Sequence, residues 1–360
     1  MRLFLLGDIA LFGQCSMTDN PDWKTYFREL SEYLKTADYV VGNLETPFSL
    51  LKKPNGAKSA YLCSDVVNVE ILRYLHINAV NLANNHMFDY GVEGYETTKK
   101  VLDEHMVEYF GGEGKDLLID FEDSKLAFSG FCCYSTNPLG VVRYGKYGIN
   151  ELNYQVVHDH MKKYHDAGYL NIVSVHTGVE HVNFPDLTTI SSARKLAEEI
   201  DYIFYGHHPH VSQGLEKIAG SLIAYSLGNL CFDDIYSSES TCPQVTLSEN
   251  NRSSFILKIE IEANQIVSYD IEPIYIGKEK IVIGRGTTKD ILTGYTNPLT
   301  TLEPETYSEM RLKLIDEYYS NRKSSRNLQW FLRRLRFRYI KLAVDMFINK
   351  YKYLRTIHGL

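Results

Sequence analysis

The sequence predicts an α/β fold in which layers of β-sheet are flanked by helices. In the first 235 residues, short apolar runs alternate with amphipathic segments whose apolar residues recur near 3.6 spacing. Beyond residue 211, strand-like runs follow one another, which is typical of antiparallel hairpins that complete a sheet. With 44% apolar and 23% charged residues among 360, the composition supports a sizeable core and excludes disorder for most of the chain.

The elements of the first part follow from these runs in order. Apolar runs that end in polar clusters predict strands at 2–6, 39–41, 79–82, 126–132, 171–175 and 202–205. The amphipathic segments predict helices at 23–35, 66–75, 92–105, 153–165 and 190–199. This alternation is the pattern of an α/β layered fold.

The second part is predicted to be richer in strands. Strand-like runs occupy 211–216, 221–225, 255–262 and 265–275, with a turn at Ala263 and Asn264. The polar segment 237–252 is predicted to be a surface loop, and the chain beyond residue 303 is predicted to be helical. We therefore expect one domain over residues 1–300 and a helical, basic extension over residues 301–360.

Charge is distributed unevenly along the chain. The formal net charge is -7, yet residues 321–360 contain 11 Lys and Arg against the single acid Asp345, which leaves residues 1–320 strongly acidic. From Leu328 to Met346, apolar residues recur at helical spacing among arginines, so this segment can lie on an anionic membrane surface, dock to a synthase complex or pack on the acidic body. Nucleic acid is not an expected partner, because the body is acidic and no nucleic-acid-binding module is recognisable.

The sequence predicts a cytoplasmic location. The six cysteines show no C-x-x-C spacing and are expected to be free thiols in a reducing compartment. No apolar run approaches the roughly 18 residues of a membrane span. The first apolar run breaks at Asp8, too early for a signal peptide. We expect residues 321–360 to allow peripheral binding to the inner face of the membrane.

Five polar clusters follow the predicted strands at their carboxyl ends. They are residues 7–8, 42–47, 84–91, 176–180 and 206–210, which are rich in carboxylates, asparagines and histidines. Ligands of α/β proteins bind in the crevice at the carboxyl ends of the strands, so we expect the clusters to converge on one site. The three histidines at 207, 208 and 210 are costly to crowd together unless a metal or an anion uses them.

The donor types predict a transition-metal site. Carboxylate, amide and imidazole groups together suit Mn, Fe or Zn better than Ca. Asp8 or Glu45 could bridge two such ions, and two ions can clamp a phosphoryl group for phosphoester hydrolysis. Simpler roles exist for single residues: Asp8 could cap a turn, and Asn84 and Asn85 could supply left-handed turn conformations.

Four motifs carry a family resemblance. They are Asn-Leu-Glu-Thr-Pro at 43–47, Ala-Asn-Asn-His at 83–86 with Asp-Tyr-Gly at 89–91, Gly-His-His-Pro-His at 206–210, and Tyr-Ser-Leu-Gly-Asn at 225–229. Their order resembles the calcineurin-like metallophosphoesterases and, more closely, the CapA branch named for poly-γ-glutamate capsule synthesis. The resemblance covers roughly residues 1–235. It implies a layered, metallophosphoesterase-like β-sandwich flanked by helices, with two divalent ions.

The resemblance also implies roles for individual residues. The implied metal ligands are Asp8, Glu45, Asn85, His176, His208 and His210. His86 would bind the phosphoryl group or protonate the leaving oxygen, and Asp89 would orient it. His207 is a further metal or phosphate ligand in one of the two alignments that residues 206–210 permit. Ala10 stands where the superfamily has a histidine ligand, which puts occupancy by two ions in question.

Three more residues are assigned to the substrate: Asn43, Glu180 and Asn229. Glu180 follows His176 on an expected loop and could contact an amine or a sugar hydroxyl, although a solvated loop face is an equal alternative. Asn229 ends a motif that is expected to return a strand to the core, at the rim of the site.

We therefore expect a bacterial, metal-dependent, phosphoesterase-like hydrolase. Its substrate would be a phosphorylated or polymeric intermediate of capsule or cell-envelope synthesis, where the polymer is poly-γ-glutamate or a polysaccharide. Two alternatives remain open from the sequence. One is a non-hydrolytic, metal-binding subunit of a polymer synthesis or export complex, and the other is an amide-bond enzyme acting on poly-γ-glutamate.

Overall fold

Two large β-sheets pack face to face, and helices cover both outer faces. The computed structural model describes residues 1–51, 54, 58, 60–236 and 243–324, together with residues 344, 347, 348 and 351. This arrangement confirms the α/β class and the layered sandwich predicted from the sequence.

The elements are numbered in chain order. The strands are β1 (Arg2–Ile9), β2 (Tyr39–Leu44), β3 (Ala79–Asn81), β4 (Glu108–Phe110), β5 (Leu117–Phe121), β6 (Ser124–Cys132), β7 (Val141–Val142), β8 (Ile149–Asn150), β9 (Leu170–His176), β10 (Tyr202–His207), β11 (Leu215–Ile218), β12 (Ser221–Ala224), β13 (Asn229–Cys231), β14 (Ile235–Tyr236), β15 (Pro243–Val245), β16 (Ser253–Glu262), β17 (Gln265–Ile276) and β18 (Ile281–Ile283). The α-helices are α1 (Trp23–Leu34), α2 (Val69–Tyr74), α3 (Gly91–Glu104), α4 (Tyr154–Asp166), α5 (Leu187–Glu199), α6 (Glu249–Arg252), α7 (Lys289–Thr301) and α8 (Pro304–Ser324).

The larger sheet has the order β18-β17-β16-β1-β2-β3-β4, and β13 also pairs with β1. Strands β1 to β4 are parallel because α1, α2 and α3 connect them in turn. Strands β16, β17 and β18 are consecutive antiparallel strands, as the hairpin pattern predicted. Every residue of β1 after Arg2 is buried, as expected for a central strand that is covered on both faces.

The smaller sheet has the order β11-β12-β10-β9-β6-β5, in which β6, β9, β10 and β12 are parallel. The core between the two sheets contains Leu5 and Val41 from the larger sheet and Phe128 and Ile203 from the smaller one. Helices α1, α2 and α3 cover the outer face of the larger sheet, and α4 and α5 cover that of the smaller sheet. The carboxyl ends of the parallel strands are therefore held rigidly in place by packed layers.

The C-terminal helices pack on the same outer layer as α4 and α5. Tyr307 of α8 is buried there, and its hydroxyl donates to the carbonyl of Pro185 at 2.8 Å. Arg311 Nε donates to the carbonyl of Phe184 at 3.0 Å. The helix predicted beyond residue 303 is confirmed as far as Ser324.

Most of the basic segment 321–360 lies outside the described residues. The exceptions are the end of α8 and residues 344, 347, 348 and 351, which are all helical. The side chains of these last four residues are exposed. The membrane and partner roles expected of it therefore stay predictions. In the part of the chain that the structure describes, no helix is both long enough and apolar enough to cross a bilayer.

Two predicted elements were wrong in part. The strand predicted at 211–216 begins only at Leu215, because His208 and His210 adopt left-handed φ angles of 97° and 56° and turn the chain away from β10 first. The loop predicted at 237–252 contains β15 and α6, and its Asn251 is buried as the partner in a capping box with Ser248. Residues 237–242 lie outside the described residues.

Candidate metal centre and its pocket

Parallel pairing aligns the polar ends of the central strands. Asp8 of β1 lies opposite both Asn43 of β2 and Asn229 of β13. In the smaller sheet, His176 of β9 lies opposite His207 of β10. Because parallel strands end at the same edge, the structure brings the polar clusters together in one crevice.

Three buried residues form the centre of this crevice: Asp8, Glu45 and His210. One ligand atom from each lies within 4.8 Å of those of the other two. Asp8 accepts from Asn43 Nδ2 at 2.9 Å and from the backbone N–H of His208 at 3.2 Å. Burial favours the neutral acid, but contacts with the imidazoles of His207 and His210 outweigh it and hold the pKa of Asp8 well below its usual range. Asp8 is therefore an anion in the centre of the protein.

Glu45 is the carboxylate of this centre that, unlike Asp8, receives no hydrogen bond from a described residue. It is fully buried, and neither of its oxygens has a hydrogen-bond partner among the described residues. Its nearest cationic or imidazole neighbours are His210 Nε2 at 3.6 Å and His176 Nε2 at 3.9 Å from Oε1. Burial raises the pKa of Glu45 to about 8. A buried carboxylate without hydrogen bonds is costly unless a cation neutralises it, so this residue fits a divalent metal ion.

The other predicted ligands lie next to Glu45. His176 Nε2 lies 3.0 Å from Asn85 Oδ1, and the rings of His176 and His208 are 4.9 Å apart. Nδ1 of His208 is buried without a hydrogen-bond partner in the described part of the chain. Burial and the neighbouring His208 imidazole lower the pKa of His176, which keeps the neutral form that can bind a metal. The structure thus brings all six predicted ligands together.

Asn229 orients His210. Its Oδ1 accepts from His210 Nδ1 at 2.9 Å, while its Nδ2 donates to the carbonyl of Asn251 at 3.1 Å. Since Nδ1 donates in this bond, Nε2 of His210 is the ring nitrogen that faces Glu45 and that a metal would bind in place of its proton. Burial favours the neutral ring, but the carboxylates of Glu45 and Asp8 raise the pKa of His210 to about 10. The side chain of Asn229 is fully buried.

This burial separates Asn229 and Asn43 from the pocket wall. Asn43 is also fully buried, and its Oδ1 accepts from Asn81 Nδ2 at 3.1 Å while its Nδ2 donates to Asp8. The sequence assigned both asparagines to the substrate, but the structure places them behind Asp8 and His210. Glu180, the third residue of that group, does line the pocket.

His207 lies against Asp8. Its Nδ1 is 3.1 Å from Asp8 Oδ1, although the contact lacks hydrogen-bond geometry, so it is electrostatic. Both ring nitrogens are buried without a hydrogen-bond partner among the described residues, and the ring packs edge-on against Tyr205. The role of His207 as a metal or phosphate ligand stays a prediction.

A second constellation, His86, Asp89 and Lys58, borders the metal centre. His86 Nδ1 lies 2.6 Å from Asp89 Oδ2, and Lys58 Nζ lies 2.7 Å from Asp89 Oδ1. Burial raises the pKa of Asp89, but Lys58 and His86 outweigh this and keep it below its usual range. An ionised Asp89 can only accept, so His86 Nδ1 carries the proton and its Nε2 remains for a ligand.

Lys58 is the functional residue that the sequence did not reveal. It is buried, and its Nζ also donates to the carbonyl of Asn85 at 2.6 Å. It belongs to no motif and comes from a segment with three lysines, so its sequence context gives no reason to single it out. Only the fold shows that this lysine fixes the loop carrying Asn85 and His86.

The pocket beside the metal centre has two different sides. Its polar side includes Lys58, Asn85, His86, Glu180, His181 and His210, with Thr136 and Asn137. Its apolar side is formed by Ala60, Phe232, Ile235, Val245 and Leu247. Ala10, where the resemblance implied a histidine ligand, is buried in the same apolar cluster as Phe232 and Leu247. The position of the implied ligand therefore belongs to the apolar packing behind this side of the pocket.

Helix α8 reaches the rim of this pocket. The ring of Tyr318 lies 5.0 Å from that of His181, and His181 lies 6.4 Å from His210. His181 Nδ1 also lies 2.7 Å from Asn251 Nδ2. The loop after β9 is thus held between α8 and the metal centre.

The fold and this site define an α/β protein with a candidate divalent-metal centre at the carboxyl edge of its sheets. The chain belongs to the family described as bacterial capsule synthesis protein PGA_cap, whose model matches residues 2–234. It is 28% identical over 315 residues to the capsule biosynthesis protein CapA of Bacillus anthracis, covering 82% of this chain and 74% of that protein. It is 27% identical over 297 residues to the PGA biosynthesis protein CapA of Bacillus subtilis strain 168, covering 76% and 74%. These findings confirm the family predicted from the motifs.

Similar solved structures are more distant. A hypothetical protein from Thermus thermophilus superposes with a TM-score of 0.47 and 14% identity, covering 76% of this chain and 98% of that chain. The NAD nucleotidase NadN of Haemophilus influenzae superposes with a TM-score of 0.41 and 11% identity, covering 90% and 60%. At this distance the superpositions add nothing about the reaction.

Proposed function

We propose that the protein is a metal-dependent phosphoesterase that acts on a phosphorylated intermediate of capsule or envelope polymer synthesis. The observation that carries the proposal is that His86 and His210 line one pocket, so a proton-transferring imidazole adjoins a cluster of metal-ligand type. The capsule context rests on family membership and on the names of the Bacillus relatives.

The residues that would hold divalent ions are Asp8, Glu45, Asn85, His176, His208 and His210. Such ions, when bound, supply Lewis acidity for the phosphoryl oxygens and for the attacking water. Asn43 and Asn229 hold Asp8 and His210 in place through 2.9 Å contacts, so the donor set is preorganised before a ligand arrives. Binding of two ions, of Mn, Fe or Zn, stays part of the proposal.

His86 is the proposed proton-transfer residue. Its Nδ1 is committed to Asp89, so its ring is fixed and its Nε2 is the nitrogen that can exchange a proton with the leaving oxygen. Lys58 Nζ lies 2.7 Å from Asp89 Oδ1 and 3.1 Å from His86 Nδ1, so it neutralises Asp89 and adjoins the imidazole as well. Burial and the Lys58 cation lower the pKa of His86, which keeps Asp89 from holding the imidazolium too strongly. A substrate phosphoryl group in this pocket would meet His86 and the metal centre together.

The test is hydrolysis of phosphomonoester and phosphodiester model substrates by the Mn²⁺-loaded protein beside its His86→Ala variant. We expect turnover in the parent and a loss of roughly 10²- to 10⁴-fold in His86→Ala, with the bound metal content unchanged. His165→Ala is the matched control, because His165 is exposed on α4 and should leave turnover unchanged.

Full activity in His86→Ala would overturn the role of His86. Metal binding without turnover of either ester in the parent would instead favour the two alternatives drawn from the sequence, the non-hydrolytic subunit and the amide-bond enzyme. Amide cleavage is then tested by incubating the metal-loaded protein with poly-γ-glutamate and measuring new amino termini.

A further inference from the structure

The apolar side of the pocket is formed by a packed apolar cluster and by two paired strands. Phe232 and Leu247 are only 4% and 7% exposed and pack with Ala10 and Leu62 in one cluster. Ile235 and Val245 lie opposite each other on the two strands of the β14–β15 hairpin, and both line the pocket. Tyr236, the next residue, is 55% exposed, as strand alternation requires if Ile235 faces inward.

The hairpin is anchored to the body of the protein at its base. Asp234 Oδ1 accepts from the backbone N–H of Leu247 at 2.8 Å and from Arg252 Nη2 at 3.3 Å. Arg252 Nη1 in turn donates to the carbonyl of Ile276 at 3.3 Å. The apolar side therefore keeps its position relative to the metal centre.

The apolar side begins directly at the metal centre. The rings of Phe232 and His210 are 4.9 Å apart in an edge-on arrangement. A group attached to an anion held at His210 would consequently meet Phe232 first and then the hairpin. Such a neighbour favours hydrocarbon over hydroxyl or carboxylate groups, because polar groups lose their hydration there without a partner.

The charges around the pocket disfavour an extended polyanion. Lys58 is already paired with Asp89, and Glu180 adds an acid to the polar side. The body is acidic overall, since all but one of the 45 Asp and Glu lie outside residues 321–360, against 27 of the 38 Lys and Arg. A chain with one carboxylate per residue would face both an acidic field and apolar side chains.

We propose that the pocket selects an alkyl phosphomonoester, in which the phosphate is the anionic head and the ester oxygen carries an alkyl group. This inference rests on the proposed function and names the substrate class of that site. The phosphate is placed at the metal centre beside His86, and the first carbons lie along Phe232, Ile235 and Val245. In the reaction, the water oxygen bonds to phosphorus and the phosphorus–oxygen ester bond breaks. One proton of the water stays on the phosphate product, and the other balances the proton that the leaving alkoxide takes from His86 Nε2 to become the alcohol.

The experiment measures kcat/KM of the Mn²⁺-loaded protein for glycerol 1-phosphate and for propyl, hexyl and decyl phosphate. Each methylene that is buried should improve kcat/KM by roughly threefold to fourfold. We expect at least a roughly tenfold preference for hexyl phosphate over glycerol 1-phosphate. A rise that ends at hexyl indicates a small soluble ester, and a rise that continues to decyl indicates a lipid.

Two variants test the surface itself. Ile235→Asn should remove most of the preference for hexyl phosphate over glycerol 1-phosphate. The nearly isosteric Val245→Thr should reduce the same preference even if Ile235→Asn folds poorly. Tyr236→Ser is the matched control and should keep the preference, because Tyr236 does not line the pocket.

Equal kcat/KM for all four esters, or a preference that survives both variants, would overturn the inference and leave the phosphoesterase proposal intact. If the parent hydrolyses none of them, the phosphoesterase proposal fails separately. Calorimetry on the same metal-loaded protein then decides the inference. Tighter binding of hexyl phosphate than of inorganic phosphate supports it, whereas equal affinity, or tighter binding of poly-γ-glutamate than of hexyl phosphate, overturns it.

Discussion

Replacing Lys58 with Met should destabilise the protein far more than its position on a connecting segment indicates. The Lys58 and Asp89 side chains are 5% and 0% exposed, and their charged atoms are 2.7 Å apart. Lys58→Met keeps an unbranched chain of similar volume but leaves Asp89 buried with His86 and the Leu62 N–H as its partners among the described residues. Breaking a buried ion pair in this way costs about 3–5 kcal/mol.

A matched control is available on the surface. Lys280 Nζ lies the same 2.7 Å from Glu29 Oε2, but these side chains are 54% and 38% exposed. Lys280→Met should therefore change the free energy of unfolding by about 0–1 kcal/mol. Because the two ion pairs have the same N–O distance, the difference in the free energy of unfolding between the two variants measures the effect of burial.

The assay is urea unfolding of metal-free protein in the presence of a chelator, with the free energy of unfolding compared among the variants. Lys58→Met combined with Asp89→Asn should recover part of the loss, because the double variant no longer buries an unpaired charge. If Lys58→Met costs less than about 1 kcal/mol, as Lys280→Met does, the view that Lys58 neutralises Asp89 is wrong.

Three further outcomes are expected. Glu45→Gln should weaken Mn²⁺ binding at least roughly tenfold by calorimetry, because it removes a buried carboxylate that has no hydrogen-bond partner among the described residues; affinity within twofold of the parent would exclude Glu45 as a ligand. Asn229→Ala should weaken the same binding roughly 10- to 100-fold by freeing the His210 ring, and unchanged affinity would contradict that role. Burial favours the neutral form of Asp270, but Lys289 and Lys258 outweigh it and lower the pKa of Asp270 to about 2. The ionised Asp270 therefore stabilises the fold above the ordinary aspartate pKa of about 4, and this stabilisation is lost as the pH falls toward 2. The difference in unfolding midpoint between the parent and Asp270→Asn should accordingly shrink from pH 5 to pH 2, and a constant difference would show that Asp270 acts without its charge.

The sequence was sufficient to locate the strands that carry the site. Each of these strands is a short apolar run with a polar group at or near its carboxyl end, as at Asp8 and His176, and the parallel topology brings those ends together. The ligand set could be listed for the same reason, because carboxylate, amide and imidazole donors are recognisable by type.

The supporting residues could not be assigned in this way. Asparagine can contact a substrate or hold a ligand equally well, and only the register of β1 with β2 and β13 shows that Asn43 and Asn229 lie behind the ligands. Lys58 lies in a polar segment without apolar periodicity, so the sequence does not predict its contact with Asp89. The early part of the strand predicted at 211–216 failed because two histidines adopt left-handed backbone, which their residue type does not reveal.

The packing of α8 has a practical consequence for preparing fragments of this protein. A fragment cut at the predicted boundary of residue 300 would lose Tyr307 and Arg311, which hold the carbonyls of Pro185 and Phe184. It would also lose Tyr318, the ring that covers His181 at the pocket rim. The loop carrying Glu180 would then have one open side, and substrate affinities measured on such a fragment would describe a different pocket. An expression boundary after Ser324 keeps the whole of α8 and, with it, the rim of the site.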